Sequence, residues 1–339
     1  MTPGDLPVDQ STPAPTPDDP DPWPIPHRLV LGDRDTARAR AEYWLYRGAA
    51  ALASRLPGFA RRGVAIGLAH ALRRFEHRHT EAGRRFVAQG MGHLSAPHQD
   101  ALVLAAWRHL IEVAFEDAAF NRRVLGPAIH QHFETTISPD VLRVLESKRG
   151  GFFVVPHVGM WEAMPALGAA LGFRPAYVVS SPPRNRPLSA YAQLVREARG
   201  YRLIPRRGAV QDLAKVIRAG GWVGLMLDQR VRGRKRSVVA PFFGRPARCE
   251  RSIPVLIRRL ACPVVFGACY RTDRPFYYRA VIDRVLEPEA FTAADDAAVA
   301  TAVNIEIERL IRLAPDQYLW LHDRFLGAPE ADPIDPSRP

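Results

Sequence analysis

Cysteine and lysine are both scarce in this 339-residue chain, with only Cys249, Cys262 and Cys269 of the first and Lys148, Lys215 and Lys235 of the second. Three cysteines at that spacing build neither a disulfide framework nor a four-cysteine zinc site, so a reducing compartment is expected. Long apolar runs are also missing. The longest candidate, Tyr43 to Leu72, is interrupted by Arg47, Arg55, Pro57, Arg61 and Arg62, whereas a membrane span needs about 20 mostly apolar residues. Positive charge is absent from the first 26 residues, which carry five Asp, nine Pro and no Lys or Arg. This reads against a signal peptide, which needs a basic start followed by an apolar run. No second histidine stands at ligand spacing beside His157, so no metal site is expected. Zinc-finger spacing, an aromatic-interleaved RNA-binding pattern and a basic recognition helix are all lacking, which argues against nucleic acid as the partner.

Apolar residues make up 47% of the chain, enough for a large core. The net charge is +12, but removing the five Asp of residues 1–26 and the net −2 of the last thirteen residues leaves +19 on residues 27–326. Such a body favours an anionic partner. Arginine carries nearly all of the positive charge, and its fork suits phosphate oxygens; a GC-rich coding sequence would produce the same bias.

Punctuation and periodicity divide the chain. Residues 1–26 and 327–339 read as disordered Pro/Asp-rich tails. Residues 35–148 read as helical, most clearly over Ala101–Ala119, where apolar positions recur at three and four. After Gly150-Gly151 the pattern changes. Strands are expected at Gly151–Val155, Ala176–Val179, Trp222–Leu227, Val264–Ala268 and Tyr278–Val285. Helices are expected at Glu162–Leu171, Leu188–Arg199, Ala209–Ala219, Arg251–Leu260 and Asp295–Leu313. Strands that are apolar throughout and alternate with helices imply an α/β fold, a largely parallel sheet covered on both faces. The segment at 43–72 reads as two short helices that either lie in the headgroup plane of an anionic bilayer or pack on the protein's own core.

Chemistry concentrates where the first of these strands ends, in Pro156-His157-Val158-Gly159-Met160-Trp161-Glu162. On one helix His157 and Glu162 would point about 140° apart. They converge if His157 lies on the loop leaving the strand and Glu162 in the first turn of the next helix, where the carboxylate can orient the imidazole as a general base. The spacing alone is weak: with 11 histidines and 35 acidic residues, roughly one His-x4-acid match arises by chance. A second feature joins it. Asp228 ends the apolar run Trp222–Leu227 and precedes a basic loop, Gln229 to Arg236. In an α/β sheet the carboxyl ends of strands share one edge, so His157 and Asp228 face one crevice.

Three stretches in order resemble the bacterial lipid A biosynthesis acyltransferases: HVGMWE (His157–Glu162), LMLDQR followed by VVAPFFG, and QYLWLHDRF (Gln317–Phe325). The resemblance covers about residues 40–326. Met160 stands where that family carries Asn, and Gln229-Arg230 where it has a more acidic or polar stretch. The resemblance implies a glycerolipid acyltransferase-like fold across a single domain at 27–326, its helical part at 35–148 and its catalytic α/β part at 149–326. It implies transfer of a fatty acyl chain from an acyl-carrier-protein or acyl-coenzyme A thioester to a glycolipid hydroxyl. No cofactor is implied, and the place is the anionic cytoplasmic face of the inner membrane. His157 would be the base with Glu162 beside it, and Asp228 would position a sugar or an arginine. The family's oxyanion-stabilising arginine falls in a stretch matching Val195–Arg207, making Arg199 the first candidate, then Arg196 and Arg207. Gly159, Trp161, Arg230, Arg232 and Arg234 would contact substrate. Competing readings are an acyltransferase for another lipid, such as a phosphatidylinositol mannoside or a lysophospholipid, and a basic membrane- or nucleic-acid-binding protein in which His157 is a satisfied core residue.

Overall fold

A computed structural model describes residues 23–328 except Thr292. Four helices come first: α1 (Ala37–Arg55), α2 (Gly58–Phe75), α3 (His77–Gly90) and α4 (Ala96–Arg123). There follow β1 (Phe133–Ile137), α5 (Pro139–Glu146), β2 (Gly151–Val154), α6 (Met164–Ala170), β3 (Ala176–Ser180), α7 (Arg186–Glu197) and β4 (Tyr201–Pro205). The chain continues through α8 (Ala209–Arg218), β5 (Trp222–Leu225), β6 (Ser237–Phe242), β7 (Arg245–Glu250), α9 (Ser252–Leu260), β8 (Val264–Arg271), β9 (Tyr278–Leu286) and α10 (Asp296–Arg312). Several helix starts are written in the sequence as side-chain caps: Thr36, Ser138, Asn185 and Asp295 each accept a backbone N–H of the first turn of α1, α5, α7 and α10.

Seven strands form one sheet in the order β1-β9-β8-β2-β5-β3-β4. From β8 to β4 all pairings are parallel; β9 lies antiparallel to β8 and carries β1 parallel to itself. The fold is therefore mixed α/β with a mostly parallel central sheet flanked by helices, the class expected. The central strand β2 is buried on both faces. Phe152 and Val154 enter one core with Ile257, Phe266 and Ile307, while Phe153 and Val155 enter the other with Met164, Leu167 and Trp222, as the two-residue period of a strand requires.

Three differences from expectation have local causes. The stretch expected to be helical contains β1, whose sequence Phe-Glu-Thr-Thr-Ile holds β-branched residues that favour a strand. The edge strand β4, Tyr-Arg-Leu-Ile-Pro, is too short to show a period. The PFFG motif is a hairpin turn: β6 and β7 pair antiparallel, and Phe243 and Gly244 between them both have positive φ, at 47° and 70°, the type I′ geometry that matches strand twist.

Of the stretches expected to be disordered, residues 1–22 and 329–339 lie outside the described residues. Residues 23–26 pack: Ile25 is 4% exposed and Trp23 meets the ring of Tyr177 edge-on at 5.1 Å. The segment at 43–72 folds as α1 and α2, broken at Pro57, and both helices rest on α4. Their buried apolar residues are small, Ala39, Ala53, Ala65 and Ala69, while Trp44, Leu45, Leu52, Phe59 and Phe75 stay exposed. Among the described residues no helix is long and apolar enough to cross a membrane.

Candidate active site

Register decides what meets at the sheet edge. Strands β2 and β5 are parallel neighbours with Val154 opposite Leu225, and the Val155 N–H continues the ladder to the Leu225 carbonyl. His157 and Asp228 each lie three residues beyond their paired strand end. Their side chains meet: His157 Nδ1 is 2.8 Å from Asp228 Oδ1, and the His157 backbone N–H donates to Asp228 Oδ2 at 3.0 Å. An ionised carboxylate only accepts, so Nδ1 carries the proton and Nε2 keeps its lone pair. The Gln229 amide, 3.2 Å from Nε2, donates to it. Trp161 lies edge-on to the imidazole at 5.4 Å between ring centroids. Asp228 is sealed at 1% side-chain exposure, whereas His157 keeps 15%, so a substrate can reach the imidazole but not its partner.

The electrostatics follow from this pairing. Burial opposes protonation of His157, but the charge and hydrogen bond of Asp228, helped by the charge of Glu162, outweigh it and hold the imidazole pKa above its ordinary value. Burial likewise opposes ionisation of Asp228; the His157 charge and the two N–H bonds prevail and keep that carboxyl below its usual range.

The loop that carries His157 is clamped on several sides. Gly159 has φ +61°, and a Cβ there would lie 2.0 Å from the Cys269 carbonyl oxygen of β8, so only glycine fits. Its N–H donates to the Gln317 carbonyl at 2.9 Å, the Met160 N–H to the Cys269 carbonyl at 2.6 Å, and the Leu319 N–H to the His157 carbonyl at 3.1 Å. His109 of α4 donates Nε2–H to the Gly159 carbonyl at 3.1 Å. Burial first, then the charge of Arg271, pushes the His109 pKa down to about 3, so this donor stays neutral. The closing QYLWLHDRF stretch is thus a brace for the His157 loop. Gln317 also ties its side chain to the Arg271 backbone through both amide atoms.

Glu162 differs from expectation. It sits in a short 3-10 turn, Trp161–Ala163, that precedes α6. No hydrogen bond joins it to His157. It forms a two-pronged pair with Arg196 at 2.6 and 3.2 Å, which overcomes the burial that would raise its pKa and keeps it low. The carboxylate bonded to the imidazole is that of Asp228, because neighbouring strands bring equal offsets together, while Glu162 acts on the ring through its charge. Arg199, the first candidate for the oxyanion, lies beneath the Glu162 turn. Its side chain is 0% exposed and donates to Asp117 at 2.6 Å, to Asn121 at 2.8 Å and to the Glu162 carbonyl at 3.0 Å. A guanidinium so enclosed ties α4 to the Glu162 turn. Arg196 retains 31% exposure. Arg207 and Arg232 are exposed and Arg230 half-buried; the Arg234 side chain lies outside the described atoms. Sequence reasoning passed over Gln229 and His109 as site residues. Offset counting along β5 would have found the first, while His109 is one of many buried positions on a helix and carries no signal.

A match to the family described as bacterial lipid A biosynthesis acyltransferase spans residues 33–327. The chain belongs to that family. It is 29% identical over 154 residues to a lipid A biosynthesis lauroyltransferase of Escherichia coli K12, a match covering 44% of this chain and 49% of that protein. It is 24% identical to lipid A biosynthesis acyltransferase 2 of Shigella flexneri over 204 residues, covering 58% of this chain and 62% of that protein. A lipid A biosynthesis palmitoleoyltransferase of E. coli K12 is 27% identical over 163 residues, 48% of this chain and 52% of that protein. The matches thus span about half the length of these relatives. A solved acyltransferase from Thermotoga maritima superposes at a TM-score of only 0.32 with 9% identity over 75% of this chain and 95% of that one.

Proposed function

We propose that this chain is an O-acyltransferase that moves a fatty acyl group from an acyl-carrier-protein or acyl-coenzyme A thioester to a hydroxyl of a lipid A precursor-like glycolipid. The carrying observation is the His157–Asp228 pair at the carboxyl edge of the sheet, in a chain of this family. His157 Nε2 takes the proton of the acceptor hydroxyl as its oxygen attacks the thioester carbonyl. The imidazolium that forms is stabilised by the buried Asp228 carboxylate. The tetrahedral intermediate collapses with loss of thiolate, which recovers the proton from His157.

Arg196 is the arginine we assign to the developing oxyanion. It is held in place by Glu162 yet remains partly open, whereas Arg199 is closed off. One such donor lowers a barrier by about 3–4 kcal/mol in studied enzymes. The exposed Arg207 and Arg232, with Arg230, suit phosphates of the acceptor or acidic helices of a carrier protein. The α1–α2 hairpin supports attachment to the cytoplasmic face of the inner membrane: Trp44, Leu45, Leu52 and Phe59 are exposed on it, and Arg62 of the same hairpin is exposed and suits lipid phosphates.

Mass spectrometry of host membrane lipids with and without the gene tests the reading. A glycolipid species heavier by one acyl chain should vanish on deletion and return with the wild-type gene but not with His157→Ala. An unchanged glycolipid profile would overturn it.

A further inference from the structure

Both ring nitrogens of His157 are engaged by consecutive residues of one loop, Asp228 on Nδ1 and Gln229 on Nε2. The Gln229 amide nitrogen lies 3.2 Å from Nε2, within the distance at which a general base must hold the oxygen it deprotonates, about 2.6–3.2 Å. The amide and an acceptor hydroxyl therefore compete for one position. Asp228, next to it in the chain, is 2% exposed and bonded twice to His157, which fixes the backbone from which the amide reaches.

We propose that Gln229 is a positioning residue that shields the base from water, so that thioester cleavage waits for the glycolipid. The inference rests on the reading of His157 as general base. With the cap removed, a water molecule reaches Nε2. Its oxygen forms the new C–O bond to the thioester carbonyl, its proton passes to His157, the C–S bond breaks, and the thiolate takes that proton back, leaving a free fatty acid and a thiol. The glycolipid route balances in the same way and leaves an ester and a thiol. What separates the two is binding energy. A water brings only its own hydrogen bond to exchange for that of the tethered amide, whereas a glycolipid brings contacts from its whole headgroup to drive the displacement. Trp161 closes another side of the same ring.

Gln229→Met keeps length and volume and removes the amide. Purified full-length protein is given dodecanoyl-acyl-carrier protein as donor, with and without a bisphosphorylated disaccharide glycolipid as acceptor, and free fatty acid and ester are counted separately. The ratio of hydrolysis to transfer should rise about fivefold, the worth of one hydrogen bond of about 1 kcal/mol, and the added hydrolysis should disappear in the Gln229→Met, His157→Ala double variant. Gln229→Glu should move the acidic limb of transfer to higher pH, because a carboxylate beside Nε2 favours the imidazolium; a limb that stays in place would mean that the side chain does not lie against Nε2, which overturns the proposal. An unchanged ratio at an unchanged melting temperature, or extra hydrolysis that survives loss of His157, overturns the proposal. Transfer that persists in His157→Ala, or that the unsubstituted protein fails to perform, would instead sink the reading of the base itself.

Discussion

Replacing Asp228 by Asn is the substitution that most sharply separates this arrangement from one built on Glu162. Asp228 accepts two N–H bonds from a single residue, from the His157 backbone at 3.0 Å and from Nδ1 at 2.8 Å. An asparagine has one acceptor oxygen, so one of those donors must face an NH2 group or the ring must change tautomer and turn its lone pair away from the substrate. The carboxylate is almost fully enclosed, and losing one member of a buried charge pair costs about 3–5 kcal/mol. If that loss falls on the imidazolium-bearing transition state, kcat drops roughly 10²- to 10⁴-fold. The pH dependence gives a second reading with a definite sign. Burial pushes the His157 pKa down and Asp228 reverses that push, so the acidic limb of kcat/KM should lie above the ordinary histidine value in the wild type. It should move to lower pH in the variant. Acyl transfer measured from pH 5 to 9, alongside thermal melting by circular dichroism, decides it. Activity within threefold of wild type, or an acidic limb that stays put, would refute the reasoning.

Other substitutions test other parts of the account. Arg199→Ala takes a buried donor from Asp117 and Asn121, both half-buried, and should cost about 2–3 kcal/mol, seen as a melting temperature lower by roughly 4–8 °C; a KM change at constant stability would return Arg199 to the substrate. Gly159→Ala forces a Cβ to 2.0 Å from the Cys269 carbonyl at φ +61°, and should cost about 2–4 kcal/mol in denaturant unfolding together with most activity. The double variant Leu45→Glu, Phe59→Glu should reduce sedimentation with anionic vesicles by about tenfold without loss of helicity, and undiminished binding would move the membrane contact off this hairpin.

The legible parts of the chain were those in which one residue type at one spacing has a single structural meaning. Continuous apolar runs gave the strands β2, β5 and β8, and their alternation with amphipathic helices gave the parallel sheet. The crevice shared by His157 and Asp228 followed from the rule that strand carboxyl ends gather at one edge. Their direct contact depends on register, Val154 against Leu225, which no single strand's sequence contains. Glu162 drew attention because it is near His157 in the chain, yet its partner Arg196 comes from α7, 34 residues later. Arg199 lies in the stretch where the resemblance places an oxyanion arginine, but its burial comes from α4 packing over it, a tertiary event. The hairpin at PFFG was hidden because Phe243 takes a positive φ that bulky residues rarely adopt.

The proposed role of His157, held by Asp228 and activating a hydroxyl for acyl transfer, is open to one direct assay. Purified wild-type and His157→Ala proteins are incubated with acyl-carrier-protein thioester and glycolipid, and the glycolipid is weighed by mass spectrometry. A mass gain of one acyl chain is expected with the wild type and none above background with a folded His157→Ala protein. Equal acylation by both proteins would contradict it.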